Sequence, residues 1–98
     1  MEFEWDDEKN RTNKLKHRIT FESAVEVFFD PFEQTEFDQF IDDEERWKTI
    51  GMIANWSVLA VIYVERSRVT GAVTRIISAR KANKDEVGRY ERNRRQNR

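Results

Sequence analysis

The 98 residues include 18 Lys/Arg, 19 Asp/Glu and no Cys, which excludes disulfides and thiolate metal sites and points to a reducing compartment. Only 38% of residues are hydrophobic but 12% are aromatic, enough for one small core and too few for a multidomain enzyme. The net charge of -1 hides a division: residues 1–65 hold 16 acids against 7 Lys/Arg, and residues 66–98 hold 11 Lys/Arg against 3 acids, the pattern of a basic surface that meets a polyanion or an acidic partner.

In chain order, the acidic N-terminus lacks the apolar stretch of a signal peptide, and Phe3 and Trp5 alternate with acids as in a short opening strand. Asp6 is placed to cap a helix, with Asp7 and Glu8 in its first turn and Lys14 and Lys16 in its last, as the helix dipole favours. Leu15 is its sole aliphatic residue, so this helix reads as a solvated face or as a presenter of Lys9, Asn10, Asn13, Lys16 and His17. Thr20 caps the next helix, whose residues Phe21, Ala24, Val25, Phe28 and Phe29 form an apolar stripe that Asp30-Pro31 ends. From Asp30 to Glu45 stand 8 acids and no Lys or Arg. This run reads as an acidic loop pinned by Phe32, Phe37, Phe40 and Ile41, with room for one edge strand, and its spacing is not that of a calcium loop.

Three strands are expected next, at Trp47–Ala54, Val58–Glu65 and Val73–Ala79, with turns at Asn55–Ser57 and Ser67–Ala72. Short turns imply an antiparallel meander, and the apolar run from Val58 implies a central strand covered on both faces. That run is far too short to span a bilayer, so a cytoplasmic protein with no membrane partner is expected. Asn83 and Glu86 stand at capping-box spacing and open a last helix through Val87 and Tyr90, which Gly88 weakens. The fold class is therefore α+β in two layers: an antiparallel sheet with two N-terminal helices packed on one face and a C-terminal helix. Residues 1–91 make the single domain, and 92–98 make a basic, disordered tail.

Several segments occur in a telling order: Phe3-Glu4-Trp5-Asp6, Lys9-Asn10, Asn13, Lys16-His17, Phe21-Glu22, Val27-Phe28 and Asp30-Pro31. Glu44-Glu45-Arg46, Ile50-Gly51, Tyr63, Glu65-Arg66, the run Arg75-Ile76-Ile77-Ser78-Ala79-Arg80-Lys81-Ala82 and Tyr90-Glu91 follow. Over residues 3 to 91 the chain resembles the BrnT family, the ribonuclease toxins of a bacterial type II toxin–antitoxin system. The resemblance implies a RelE-like fold and metal-independent RNA cleavage, with no cofactor, that halts translation. It also implies a ribbon-helix-helix antitoxin of the BrnA type, through which alone DNA would be touched. The sequence departs from the family pattern at Arg18, where Gly is usual after His17, so a tight turn there is expected to be hindered. Asn55-Trp56-Ser57 replaces a turn that often carries a basic residue, and Thr70-Gly71-Ala72 is expected to lengthen the next turn.

Metal-free RNA cleavage uses the neighbouring 2′-hydroxyl as nucleophile. It needs a base for that proton, an acid for the leaving 5′-oxygen and cations facing the phosphorane, a task that suits the charged planar fork of Arg. Only His17 has an ordinary pKa near neutrality, and Glu45 is the other base candidate. With Arg66 and Arg80, both inside the matching segments, they form the candidate catalytic set. Arg46, Arg75, Lys81 and Tyr90 are candidates for holding RNA, and Tyr90 or Lys81 also serves as acid if its pKa is shifted. Hairpin geometry puts Arg46, Arg66 and Arg75 near one end of the sheet and Arg80 roughly 20 Å away. The site therefore lies at either end, with His17 able to meet both. The alternative is a catalytically inactive RelE-like binding module that holds an antitoxin-like partner or RNA. Direct DNA binding is disfavoured, because no helix-turn-helix pair is present and Gly88 interrupts the last helix.

Overall fold

The computed structural model describes residues 1–97. The elements are β1 (Glu2–Glu4), α1 (Asp7–His17), α2 (Phe21–Ala24) running into a 3₁₀ segment (Val25–Phe29), β2 (Gln34–Ile41), β3 (Glu44–Met52), β4 (Val58–Arg68), β5 (Gly71–Lys81) and α3 (Lys84–Gln96). The five strands form one sheet in the order β1-β5-β4-β3-β2.

The caps read from the sequence form. Asp6 accepts the Lys9 N–H at 3.0 Å and Thr20 accepts the Ser23 N–H at 3.1 Å. Asn83 and Glu86 close a reciprocal capping box, with both bonds at 2.9 Å. Arg18 does not obstruct the turn after α1: it adopts the left-handed conformation itself, at φ 61, and donates its backbone N–H to Lys14. The second helix changes period after Ala24. In a 3₁₀ segment every third residue is eclipsed, so Phe21, Ala24 and Val27 line the core while Phe29, expected in the stripe, is 67% exposed.

The acidic run is mostly strand. β2 pairs with β3 as an edge strand, and Asp42 and Asp43 make a two-residue hairpin turn with φ 51 and 62. Charged residues suit an open edge because they discourage further pairing. Phe37 and Phe40 stay exposed on it, so they do not pin a loop; Phe37 packs edge-on against Trp47 with ring centroids 5.7 Å apart. The β4–β5 turn is also tighter than expected. The ladder continues out to Arg68 and Gly71, leaving only Val69 and Thr70 between them, with Gly71 at φ 117.

β2 to β5 form an antiparallel meander, and β4 sits in the middle of the sheet. The expectation of a wholly antiparallel sheet needs one correction, because β1 pairs parallel with β5. Parallel neighbours need a long crossover, and here residues 5–70 lie between the two strands. Past the end of β1, the outer edge of β5 is closed by a side chain. Asn13 of α1 donates to the Ala79 carbonyl at 2.8 Å and accepts the Ala79 N–H at 3.1 Å, as a neighbouring strand would.

Alternating residues give the sheet two buried sides. Leu59, Val61, Ile76 and Ala79 pack against Phe21, Ala24 and Val27 of α2 and the 3₁₀ segment. That approach is close: a Cβ on Gly51 would lie 2.9 Å from the Val27 carbonyl oxygen. On the opposite side Ile50 and Ala60 pack against Tyr90 of α3. α3 runs through Gly88 to Gln96, so most of the stretch expected to be a tail is helical, and Arg98 lies outside the described residues.

Candidate functional site

Residues paired across strands share a face of the sheet. Ala60 pairs with Ile50 and with Arg80, Ile62 with Lys48 and Ser78, Val64 with Arg75, and Arg66 with Val73. Continuing the β3–β4 register one step sets Arg46 beside Val64, opposite Gln39 of β2. The face that α3 partly covers therefore carries a ladder of cations: Arg66 at one end, then Arg46 and Arg75, then Lys48, then Arg80. Two-residue steps separate the rungs by roughly 7 Å. As the hairpin geometry required, Arg46, Arg66 and Arg75 cluster near one end and Arg80 stands at the other. α3 covers only the Arg80 end, where Tyr90 meets Ile50 and Ala60.

Most of these cations hold carboxylates. Arg66 pairs with Glu44 at 3.1 Å, and Arg75 with Glu4 at 2.7 Å. Glu4 also accepts from Arg68, and these two guanidinium groups, Arg68 foremost, hold its carboxyl below the usual range. At the covered end, Arg80 grips Glu86 with two bonds of 2.7 and 3.0 Å, while Lys48 reaches the same carboxylate at 2.8 Å and Glu36 at 3.0 Å. Chiefly through Arg80, the pKa of the buried Glu86 falls to about 2. Burial by itself would lower the Lys48 pKa, but its two carboxylate partners outweigh burial and raise it. Arg46 differs from its neighbours in making no ion pair among the described residues. Its Nε, like that of Arg66, is buried without a hydrogen-bond partner.

The other sequence candidates fall elsewhere. His17 lines a cleft of about 470 Å³ with Lys9, Asn13, Ile77 and Ser78, so it reaches the β5 edge between the Arg75 and Arg80 positions. Glu45 follows Glu44 on β3 and shares the far face with Phe40, lining an acidic hollow with Asp43 and Glu65; the structure does not bring it to the arginines. Lys81 lies opposite Leu59 on that far face as well. Tyr90 is 1% exposed and donates its hydroxyl to Asp30 at 2.5 Å, and burial first, then Asp30, raises its pKa. A phenol so placed anchors α3 to Asp30.

Sequence reasoning missed Lys48 and the carboxylates that pair with the ladder. Lys48 was accessible in principle, since it stands two residues after Arg46 and so shares its face. Glu86 was read only as a capping residue, and nothing local shows that its second oxygen reaches β3 and β5. The signal for Glu4 and Glu44 was long-range pairing, which a local reading does not contain.

The fold and this face define a small α+β protein, a five-stranded sheet with three helices, that presents a row of cations on a half-open sheet surface. Residues 5–86 match the family of the ribonuclease toxin BrnT of type II toxin–antitoxin systems, and the chain belongs to that family. It is also similar in structure to the ribonuclease toxin BrnT of Brucella abortus, seen in a 1.1 Å crystal structure, with TM-score 0.60 and 27% identity over 86% of this chain and 99% of that one. No curated protein matches the chain in sequence. Among the described residues no helix is long and apolar enough to cross a membrane.

Proposed function

We propose that this protein is a RelE-like endoribonuclease toxin of the cytoplasm that cleaves RNA without a metal, thereby halting translation. A ribbon-helix-helix antitoxin of the BrnA type neutralises it and carries any contact with DNA. The observation that supports this most is Arg46: a cation without a carboxylate, flanked by Arg66 and Arg75 on the uncovered half of the sheet face. An incoming phosphodiester meets Arg46 without displacing an internal partner. Arg66 and Arg75 then exchange Glu44 and Glu4 for phosphate oxygens, placing planar donors around the charge that develops at phosphorus.

In this reading the 2′-oxygen attacks phosphorus while the bond to the 5′-oxygen breaks, leaving a 2′,3′-cyclic phosphate and a 5′-hydroxyl. His17, at the β5 edge beside Ser78, takes or returns the proton, and Arg80 holds flanking RNA once Glu86 is displaced. Glu45, Lys81 and Tyr90 stand outside this arrangement. Incubating the purified protein with RNA in EDTA should yield cyclic phosphate ends. Arg46→Ala and Arg66→Ala should each slow cleavage about 100-fold. RNA left intact, together with normal growth of bacteria expressing the soluble protein, would refute the nuclease.

The second reading is a RelE-like binding module without catalysis, which holds RNA or an antitoxin-like partner. It is favoured by the carboxylates on Arg66, Arg75 and Arg80, which leave the ladder largely neutralised from within. RNA bound but uncut under the same conditions selects it.

A further inference from the structure

On the far side of the sheet a second set of donors converges without any acid among them. Arg18, Ser23, Asn55, Ser57 and Lys81 line a cleft of about 220 Å³ floored by Leu59, between the end of α1 and the turn before β4. Neither Arg18 nor Lys81 forms an ion pair among the described residues. Asn55 uses its side-chain oxygen on the Ser57 N–H at 3.0 Å, which leaves its amide NH₂ as a donor. The Ser23 hydroxyl accepts from Thr20 at 3.1 Å and keeps its own proton to give. Glu26, the carboxylate that contacts the same turn, is taken up by the Ala54 N–H at 2.8 Å and does not line the cleft.

The backbone holds Arg18 here against its own preference. Arg18 stands at φ 61 in the left-handed turn that closes α1, its backbone N–H on the Lys14 carbonyl, a conformation that L side chains seldom adopt. Two cations, an amide and two hydroxyls, with no carboxylate among them, suit an anionic ligand rich in acceptors. A tetrahedral oxyanion, whose oxygens point in several directions, engages such donors at once.

We propose that this cleft is a second phosphate site, which holds a phosphoryl group of the RNA strand on the face opposite the arginine ladder. Arg80 and Lys81 are consecutive at the end of β5 and stand on opposite faces, so a strand leaving the ladder passes around this end into the cleft. The proposal rests on RNA as the ligand of the protein, but phosphate capture in the cleft does not require cleavage.

The test uses the full chain, a 2′-O-methyl oligonucleotide that cannot be cut, and inorganic phosphate. R18G and K81Q should each weaken oligonucleotide binding several-fold and reduce the slope of log affinity against log salt by about 0.7, the share of one contact to a single strand. Inorganic phosphate should shift the backbone amide resonances of Ser57 and Lys81 in the parent protein and not in the double variant. Because glycine relieves the left-handed strain, R18G should melt higher while binding less, which separates lost contact from lost fold. Unchanged affinity and slope in both variants, with no amide shifted by phosphate, would overturn the site. If Arg46→Ala abolishes neither cleavage nor binding while phosphate still titrates the cleft, the ladder reading fails and the cleft stands.

Discussion

Glu86 serves three groups with one carboxylate: the N-cap of α3, Arg80 and Lys48. Its pKa of about 2 in the fold, against 4.5 ordinarily, means that folding favours the ionised form. The resulting stability is present in full above about pH 4.5 and is lost as pH falls towards 2, with a magnitude of up to about 3 kcal/mol. Urea titrations of the parent protein should therefore show a steep loss between these limits. Glu86→Gln should be less stable at neutral pH, by about 3 kcal/mol, and its stability should depend less on pH over that range. Arg18 is the opposite case, a residue whose replacement helps the fold. Arg18→Gly should stabilise by about 0.5–1 kcal/mol and raise Tm by roughly 3–6 °C, read in a thermal melt.

α1 has almost nothing apolar to bury, since Leu15 is 80% exposed, yet it stays docked through polar contacts. Asn13 completes the edge of β5 and also donates to the Ile19 carbonyl at 2.9 Å. Asn13→Ala leaves the Ala79 N–H and carbonyl unpaired in a buried place, at a cost of about 2–4 kcal/mol, and amide exchange at Ala79 should accelerate accordingly. α3 is held to the other face by Tyr90 and Asp30, and Asp30 in turn accepts the Met52 and Phe32 N–H groups. Tyr90→Phe should cost about 1.5–3 kcal/mol in chemical denaturation by removing a hydrogen bond to a charged acceptor. The 3₁₀ segment shows how far local reading goes. Its apolar content and its stop at Asp30-Pro31 were plain in the sequence. The change of period that exposes Phe29 and buries Val27 falls where Val27 packs closely on Gly51, a contact that no window of the sequence contains.

At the scale of the whole molecule, the charge division of the sequence does not become two oppositely charged halves. Acids from β1, β2 and β3 and cations from β3, β4 and β5 meet on one sheet face and neutralise one another, apart from Arg46. RNA binding through this face should weaken steeply with salt, and Arg46→Ala should flatten that dependence more than Arg80→Ala, since Arg80 must first release Glu86. The sequence by itself determined the element order, the caps, the central strand and the positions of arginines along the strands, because capping, periodicity and alternation are local rules. Only the tertiary structure decided that β1 pairs parallel with β5, that Arg66 and Arg75 share a face with Arg46, and which carboxylate each cation holds. Those outcomes depend on register and on contacts between residues distant in the chain, where a shift of one residue would turn every side chain to the other face.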